Sequence, residues 1–174
     1  MERLILMRHG KAERHAASGG DFERALADSG RADAAVMGRV IAEAGLQPDL
    51  LLVSSARRTR ETAEQVAPRF PRARIEHLRD LYHAEAEEIV QALEDHGDAA
   101  ATVMVVGHNP GLHDLAIRLA ARGEASPILS NRLRGRFPTS TTVVFALDAA
   151  AGGLRSPSLE HLFYASENGG AGGE

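Results

Sequence analysis

Short runs of apolar residues that end in polar ones recur along the chain. The first, residues 4–7, is wholly apolar and stops at Arg8 and His9. Four apolar residues are too few for an ordinary helix and are typical of a strand buried on both faces. Residues 50–53 and 102–106 have the same form, and polar residues follow both. The pattern therefore predicts three buried strands with polar carboxyl ends.

Helical spacing of apolar residues separates these strands. The predicted helices cover residues 30–44, 59–66, 86–96 and 112–121. Three further strands are predicted over residues 74–77, 141–147 and 159–164. Loops or turns are predicted over residues 11–28, 132–139 and 148–157. Strands that alternate with helices are typical of an α/β sandwich with a largely parallel sheet.

Length and composition favour one globular domain over residues 1–167. The chain has 174 residues, of which 44% are hydrophobic, enough to bury a core. Residues 168–174 are rich in glycine, so we expect a disordered tail. The amino-terminal apolar run is too short for a signal peptide, and no stretch is long enough to span a membrane. The expected location is the cytoplasm.

The charge balance limits the expected partners. Twenty Lys and Arg against 24 Asp and Glu give a formal net charge of −4. This argues against a nucleic-acid partner, although a few arginines could still form a local anion pocket. The absence of cysteine excludes disulfides and thiolate chemistry.

Arginine, histidine or both follow each of the three buried strands. Arg8 and His9 follow the first, Arg57 and Arg58 the second, and His108 the third. The carboxyl ends of parallel strands meet at one edge of a sheet, which is where ligands bind. Arginine matches the geometry of phosphate oxygens, and a neutral imidazole beside arginines can attack phosphorus. The sequence therefore predicts a pocket for a phosphoryl group or another oxyanion.

Three separated motifs together resemble the histidine phosphatase superfamily, also called the phosphoglycerate mutase-like fold. They are R-H-G at residues 8–10, S-x-x-x-R-x-x-x-T at residues 54–62 and G-H at residues 107–108. The short length, D-x-x-R-x-L-x-x-x-G at residues 21–30 and G-H-N-P at residues 107–110 are similar to its SixA-type phosphohistidine phosphatase branch. The resemblance covers residues 3–145 and implies a three-layer α/β/α sandwich with a mostly parallel central sheet.

Position by position, the resemblance implies a role for four residues. His9 would be the nucleophile and become transiently phosphorylated, while Arg8, Arg58 and His108 would bind the three oxygens of the transferring group. Arg57 is then a flanking residue at the rim. The resemblance implies no metal and no cofactor, because the arginines supply the positive charge. Further candidates for substrate or phosphate binding are Gly10, Arg24, Thr139 and Ser140.

The chain departs from larger family members in the acid that protonates the leaving group. Residues 80–85 contain several candidates and no clear match. SixA-type members resemble the chain in this respect, and a phosphoramidate releases imidazole, a better leaving group than an alkoxide. This favours a phosphohistidine-bearing protein as substrate. The alternatives are a small-molecule phosphate monoesterase with the same nucleophile and a catalytically silent phospho-binding module.

The other histidines have simpler interpretations. His113 and His83 could approach the pocket, although a structural role is the simpler reading for both. A zinc site made from His108 and His113 does not fit, because their spacing of five residues misses one helix face. The remaining histidines are interpreted as surface or structural residues: His15, His77, His96 and His161.

Overall fold

The computed structural model describes residues 1–97, 99–148, 150 and 153–173. Within them, six strands form one sheet: β1 (Arg3–Arg8), β2 (Leu50–Ser54), β3 (Arg74–Leu78), β4 (Thr102–Gly107), β5 (Thr142–Asp148) and β6 (Gly153–Phe163). Five α-helices accompany it: α1 (Asp28–Glu43), α2 (Arg57–Val66), α3 (Ala86–His96), α4 (Gly111–Arg122) and α5 (Pro127–Gly135). None of the helices described is long and apolar enough to cross a lipid bilayer.

The order of the strands brings three strand ends together. The strands are ordered β3-β2-β4-β1-β5-β6. Of these six, β5 runs in the direction opposite to the other five. In register, Arg8 of β1 lies beside Gly107 of β4, and Val53 of β2 lies beside Val106. The carboxyl ends of β1, β4 and β2 therefore form one edge. The prediction of a mostly parallel sheet is confirmed.

Alternate side chains of the central strands pack on opposite layers. Leu4 and Leu6 belong to the core that contains the apolar faces of α3 and α4, whereas Ile5 and Met7 belong to the core with α1 and α2. This alternation follows from the two-residue repeat of a strand. Burial on both faces explains why these strands read as continuous apolar runs. The three-layer α/β/α sandwich is confirmed.

Helix α5 lies partly in the segment predicted as a loop over residues 132–139. Ser126 caps it by accepting a hydrogen bond from the Leu129 N–H at 3.2 Å, and Pro127 occupies the first turn. Leu133 is buried against the core. Serine followed by proline is a recognised helix start, so the sequence did contain this signal.

Strand β6 is longer than predicted. It begins at Gly153, inside the predicted turn over residues 148–157. Every residue of β5, from Thr142 to Asp148, has a partner in β6. Irregular pairing after Val144 and Leu147 breaks the simple alternation of the sequence, so the pattern hid its first half. Residues 149, 151 and 152 of the predicted turn lie outside the described part of the chain.

The glycine-rich tail, expected to be disordered, makes defined contacts up to Gly173. Asn168 donates a side-chain hydrogen bond to the Tyr164 carbonyl at 2.8 Å. The Ala171 N–H donates to Asp33 Oδ1 at 2.7 Å, and Asp33 on α1 is buried. The tail is thus tied to the rest of the chain by hydrogen bonds, one of them to a buried carboxylate on α1.

Candidate active site

Arg8, His9, Arg58 and His108 meet at the edge formed by β1, β2 and β4. His9 directly follows β1, and His108 directly follows β4. Their ring centroids are 5.2 Å apart. Arg58 lies in the first turn of α2 and donates from Nε to His9 Nε2 at 3.3 Å. The structure thus brings His9, Arg58 and His108 into one cluster, and Arg8 at the end of β1 is near enough for its charge to act on His9.

The hydrogen bonds of His9 fix its tautomer. Nδ1 lies 2.7 Å from the Gly10 carbonyl oxygen, which only accepts, so Nδ1 carries the proton. Nε2 therefore keeps its lone pair, which accepts from Arg58. Burial lowers the pKa of His9 to about 3, and the charges of Arg58, Arg8 and Arg24 act in the same direction. His9 is thus a neutral imidazole at neutral pH.

His108 is held by Ser54 at the end of β2. Its Nε2 lies 2.8 Å from Ser54 Oγ, while its buried Nδ1 has no hydrogen-bond partner among the described residues. Burial, followed by the nearby His9 and Arg58, lowers the pKa of His108 to about 2. A hydroxyl that donates to Nε2 leaves the proton on Nδ1. His108 can then offer one N–H to an oxyanion.

Arg58 is almost fully buried, and its outer nitrogens are held by the loop before α1. Its side chain is 2% exposed. The Asp21 carbonyl accepts from Nη1 at 2.8 Å, and Asp21 Oδ2 accepts from Nη2 at 3.0 Å. His83 Nε2 lies 3.1 Å from the same Nη2. Only the Nε–H points to His9, so the guanidinium is oriented before any ligand arrives.

Asp21 joins several groups around Arg58. Its Oδ2 accepts from the Tyr82 hydroxyl at 2.7 Å, and its Oδ1 lies 2.9 Å from Arg24 Nε. Burial alone would raise the pKa of Asp21, but Tyr82, Arg58 and Arg24 lower it to about 2. Asp21 is therefore a carboxylate across the physiological range.

Arg57 and Arg8 have different surroundings from Arg58. Arg57 points away and pairs with Glu61 at 2.8 Å, which matches its expected place at the rim. Arg8 donates from Nη1 to the Phe137 carbonyl at 2.9 Å. Its buried Nε has no partner among the described residues, and burial lowers its pKa. An anion beside Arg8 would satisfy this donor.

The four additional candidates divide into two groups. The Gly10 N–H donates to Thr62 Oγ1 at 3.0 Å, and the Ser140 N–H donates to the His9 carbonyl at 3.1 Å. Both N–H groups are therefore used within the protein. Arg24 forms an ion pair with Asp21. Thr139 is buried, and its hydroxyl has no hydrogen-bond partner among the described residues.

Sequence reasoning did not assign a role to Ser54, Asp21 or Tyr82. Ser54 and Asp21 belong to the quoted motifs, so a signal was present, but their contacts depend on the folded sheet. His83 stacks on Tyr82, with ring centroids 4.2 Å apart, and has a positive φ of 53°. A left-handed non-glycine residue is typical of functional sites. Within the described residues, no group of three or more metal-binding side chains is present.

Comparison with protein families agrees with this geometry. The model of the histidine phosphatase superfamily (branch 1) matches residues 4–96, slightly more than half of the chain. The chain therefore belongs to the histidine phosphatase superfamily, and its resemblance to the SixA-type branch is confirmed. Membership implies phosphatase chemistry at the level of the family.

Relatives and solved structures extend the match over most of the chain. An uncharacterized chloroplast protein of Arabidopsis thaliana is 29% identical over 86% of this chain and 73% of its own length. An uncharacterized protein of Mycobacterium tuberculosis is 31% identical over 71% of this chain and 77% of its own. A crystal structure of SixA from Agrobacterium tumefaciens, 28% identical, has a TM-score of 0.78 and covers 93% of this chain and 97% of that one. A SixA histidine phosphatase complexed with tungstate, 24% identical, shares the fold with a TM-score of 0.72, covering 95% of this chain and 98% of that one.

Proposed function

We propose that this protein removes phosphate from phosphohistidine in other proteins through a phosphohistidine intermediate on His9. The observation that carries the proposal is the tautomer of His9. The Gly10 carbonyl holds the proton on Nδ1 at 2.7 Å, and Nε2 is left unprotonated beside Arg58. An unprotonated nitrogen next to fixed positive charge is the requirement for attack on phosphorus.

In the first step, the lone pair of His9 Nε2 attacks the phosphorus of the substrate. A new P–N bond forms, and the bond between phosphorus and the substrate imidazole breaks, with its electron pair leaving on that nitrogen. The substrate ring departs as neutral imidazole when its other nitrogen carries a proton. In the second step, the oxygen of a water molecule attacks phosphorus, and the P–Nε2 bond breaks with its electron pair returning to His9. The two protons of that water leave with the inorganic phosphate, and His9 is again neutral.

Three donors can stabilise the oxygens of the transferring group. They are the Nε–H of Arg58, the Nε–H of Arg8 and the Nδ1–H of His108, of which the last two lack partners among the described residues. Charge that develops on the phosphoryl oxygens is best stabilised by donors oriented in advance. Since these groups supply the positive charge, the proposal includes no metal.

Three observations favour a phosphohistidine protein as the substrate. Asp21 and His83, which lie over the outer edge of Arg58, have side chains 44% and 53% exposed, so the pocket is open on that side. An imidazole on a protein surface can reach such a pocket. The SixA proteins among the structural neighbours support the same substrate class. Imidazole also leaves more readily than an alkoxide and therefore depends less on a dedicated acid.

The test is a comparison of kcat/KM for a histidine-phosphorylated protein and for p-nitrophenyl phosphate. We expect a strong preference for the phosphohistidine substrate. His9→Ala should lower kcat by at least about a thousandfold, as expected for loss of a nucleophile. His77→Ala is a matched control, because His77 is exposed on β3, the outermost strand of the sheet, which β2 separates from β4 and β1.

Two outcomes would contradict the proposal. Equal or better turnover of the ester would favour the small-molecule monoesterase. No turnover of either substrate would favour the binding module. Rapid quenching supplies an independent check, because an acid-labile, alkali-stable phosphate should appear on the wild-type enzyme and be absent from His9→Ala.

A further inference from the structure

A cleft lies next to the catalytic cluster, and Arg8 lines it. It has a volume of about 660 Å³, within the range of ligand sites, and is open to solvent. Its lining includes Arg8, Lys11, Arg136, Phe137 and Thr139, and the tail residues 171–173. We call this space the Lys11 cleft. Because Arg8 belongs to both sites, a substrate held at His9 lies beside the Lys11 cleft.

The charges of the Lys11 cleft are of one sign. Its described lining contains the three cations Arg8, Lys11 and Arg136 and no carboxylate. Lys11 is exposed and is the only lysine of the chain. Arg136 is exposed and reaches Glu167 at 3.2 Å, a surface contact that a ligand can replace at little cost. The cleft therefore favours a negatively charged ligand.

Two residues of the lining carry a buried polar atom without a partner among the described residues. Thr139 is 5% exposed, lines the cleft, and its Oγ1 has no partner among the described residues. Arg8 Nε is buried and unpartnered in the same way. Buried donors without partners are costly, and they are commonly satisfied when a ligand or water binds. Arg8, which lines the cleft and belongs to the catalytic cluster, thus has a donor that an anion bound beside it would satisfy.

Tail residues 171–173 form one side of the cleft and are held there by contacts with the rest of the chain. Asp33 is 1% exposed, and its Oδ1 accepts from the Ala171 N–H. A Cβ at position 170 would lie 2.5 Å from the same oxygen, and one at Gly173 would lie 2.5 Å from Thr139 Oγ1. The tail therefore packs closely against α1 and against Thr139, and these contacts fix its place in the lining of the cleft.

We infer that the Lys11 cleft binds acidic side chains that flank the phosphohistidine of a protein substrate. The inference rests on the proposed function and names the substrate class more closely. Phe137, Pro138 and Ala165 supply an apolar part of the lining, which suits a peptide better than a compact bisphosphate. Lys11 and Arg136 would contact the carboxylates, while the phosphoryl group occupies the pocket at His9.

The experiment uses two phosphohistidine peptides, one with glutamates on both sides of the phosphohistidine and one with glutamines. For the wild-type protein, kcat/KM should be about fivefold to tenfold higher for the glutamate peptide, mainly through KM. In the double variant Lys11→Gln/Arg136→Gln the ratio should fall to near one. Arg134→Gln is the matched control, since Arg134 is an exposed arginine two residues before Arg136 and does not line the cleft.

Equal kcat/KM for the two peptides in the wild-type protein would overturn the inference. A preference that survives in the double variant would do the same. If neither peptide is hydrolysed, the proposed function fails, and the cleft is tested by a second measurement that needs no catalysis.

That measurement is acylation of Lys11 by an amine-reactive ester, followed by peptide mapping. Lys11 and the amino terminus are the two amine positions of the chain, so the signal is specific. The unphosphorylated glutamate peptide should slow acylation of Lys11 severalfold, the glutamine peptide should not, and Arg136→Gln should weaken the protection. Absence of protection would contradict the inference. Strong protection by inorganic pyrophosphate alone would assign the cleft to a small bisphosphate.

Discussion

Arg57 and Arg58 are adjacent in sequence and have opposite environments. Arg58 is buried, touches His9 and is held by Asp21. Arg57 is 43% exposed and pairs with Glu61 on the next turn of α2. One position along a helix rotates a side chain by about 100°, so only one of two neighbours can face the sheet edge. Residue type alone could not separate them, whereas the spacing to Thr62 did.

This difference predicts unequal effects of two alanine substitutions. Arg58→Ala should lower kcat/KM on a phosphohistidine protein about 100- to 1,000-fold, because a donor next to the reacting phosphorus is lost. Arg57→Ala removes an exposed ion pair and should lower it by no more than about fivefold. Parallel steady-state kinetics of the two variants tests this. A larger effect for Arg57→Ala would mean that the register of α2 in the site is misassigned.

Among the elements, the buried strands were the most predictable from the sequence. A run such as Leu50–Ser54 has few alternatives, since both of its faces must be apolar and it ends where the sheet ends. The pairing of Ser54 with His108 was not predictable in the same way, because it joins residues 54 positions apart. The same limit applies to Asp33 and the tail. Local pattern determines elements, and contacts between distant elements need the folded sheet.

The junction of β1 and α1 depends on two glycines. A Cβ at Gly10 would lie 2.5 Å from the Gly30 carbonyl oxygen, and one at Gly30 would lie 2.1 Å from the Lys11 carbonyl oxygen. These neighbours are backbone atoms, which cannot move aside without shifting the segment after His9. The close approach of α1 therefore positions the nucleophile.

Gly30→Ala should accordingly destabilise the protein by about 2 kcal/mol or more, although alanine normally favours a helix. Gly135→Ala is the matched control: Gly135 lies at the end of α5, and an added Cβ there meets nothing within 4 Å. It should be neutral or stabilising by up to about 1 kcal/mol. Urea unfolding of both variants measures the difference. Equal stabilities would contradict the proposed contact between α1 and residue 11.

For the molecule as a whole, the two buried histidines of the site lower the free energy of unfolding in acid. His9 and His108 are buried among arginines, and their pKa values lie at about 3 and about 2. In the unfolded chain a histidine titrates near about 6.5. Between these values the unfolded state binds more protons than the folded state. The arrangement that keeps His9 a nucleophile therefore makes the fold sensitive to acid.

The free energy of unfolding should fall as the pH drops from about 6.5 towards about 3, since protons then favour the unfolded chain. Each histidine contributes a slope of up to about 1.4 kcal/mol per pH unit, so the two together contribute about twice that. His9→Gln removes one titrating group and should reduce the slope by the share of a single histidine. Urea unfolding at a series of pH values between about 7 and about 4 measures both slopes. Identical slopes would mean that His9 has the same pKa in the folded and the unfolded chain, and would contradict the conclusion that burial among arginines keeps it neutral in acid.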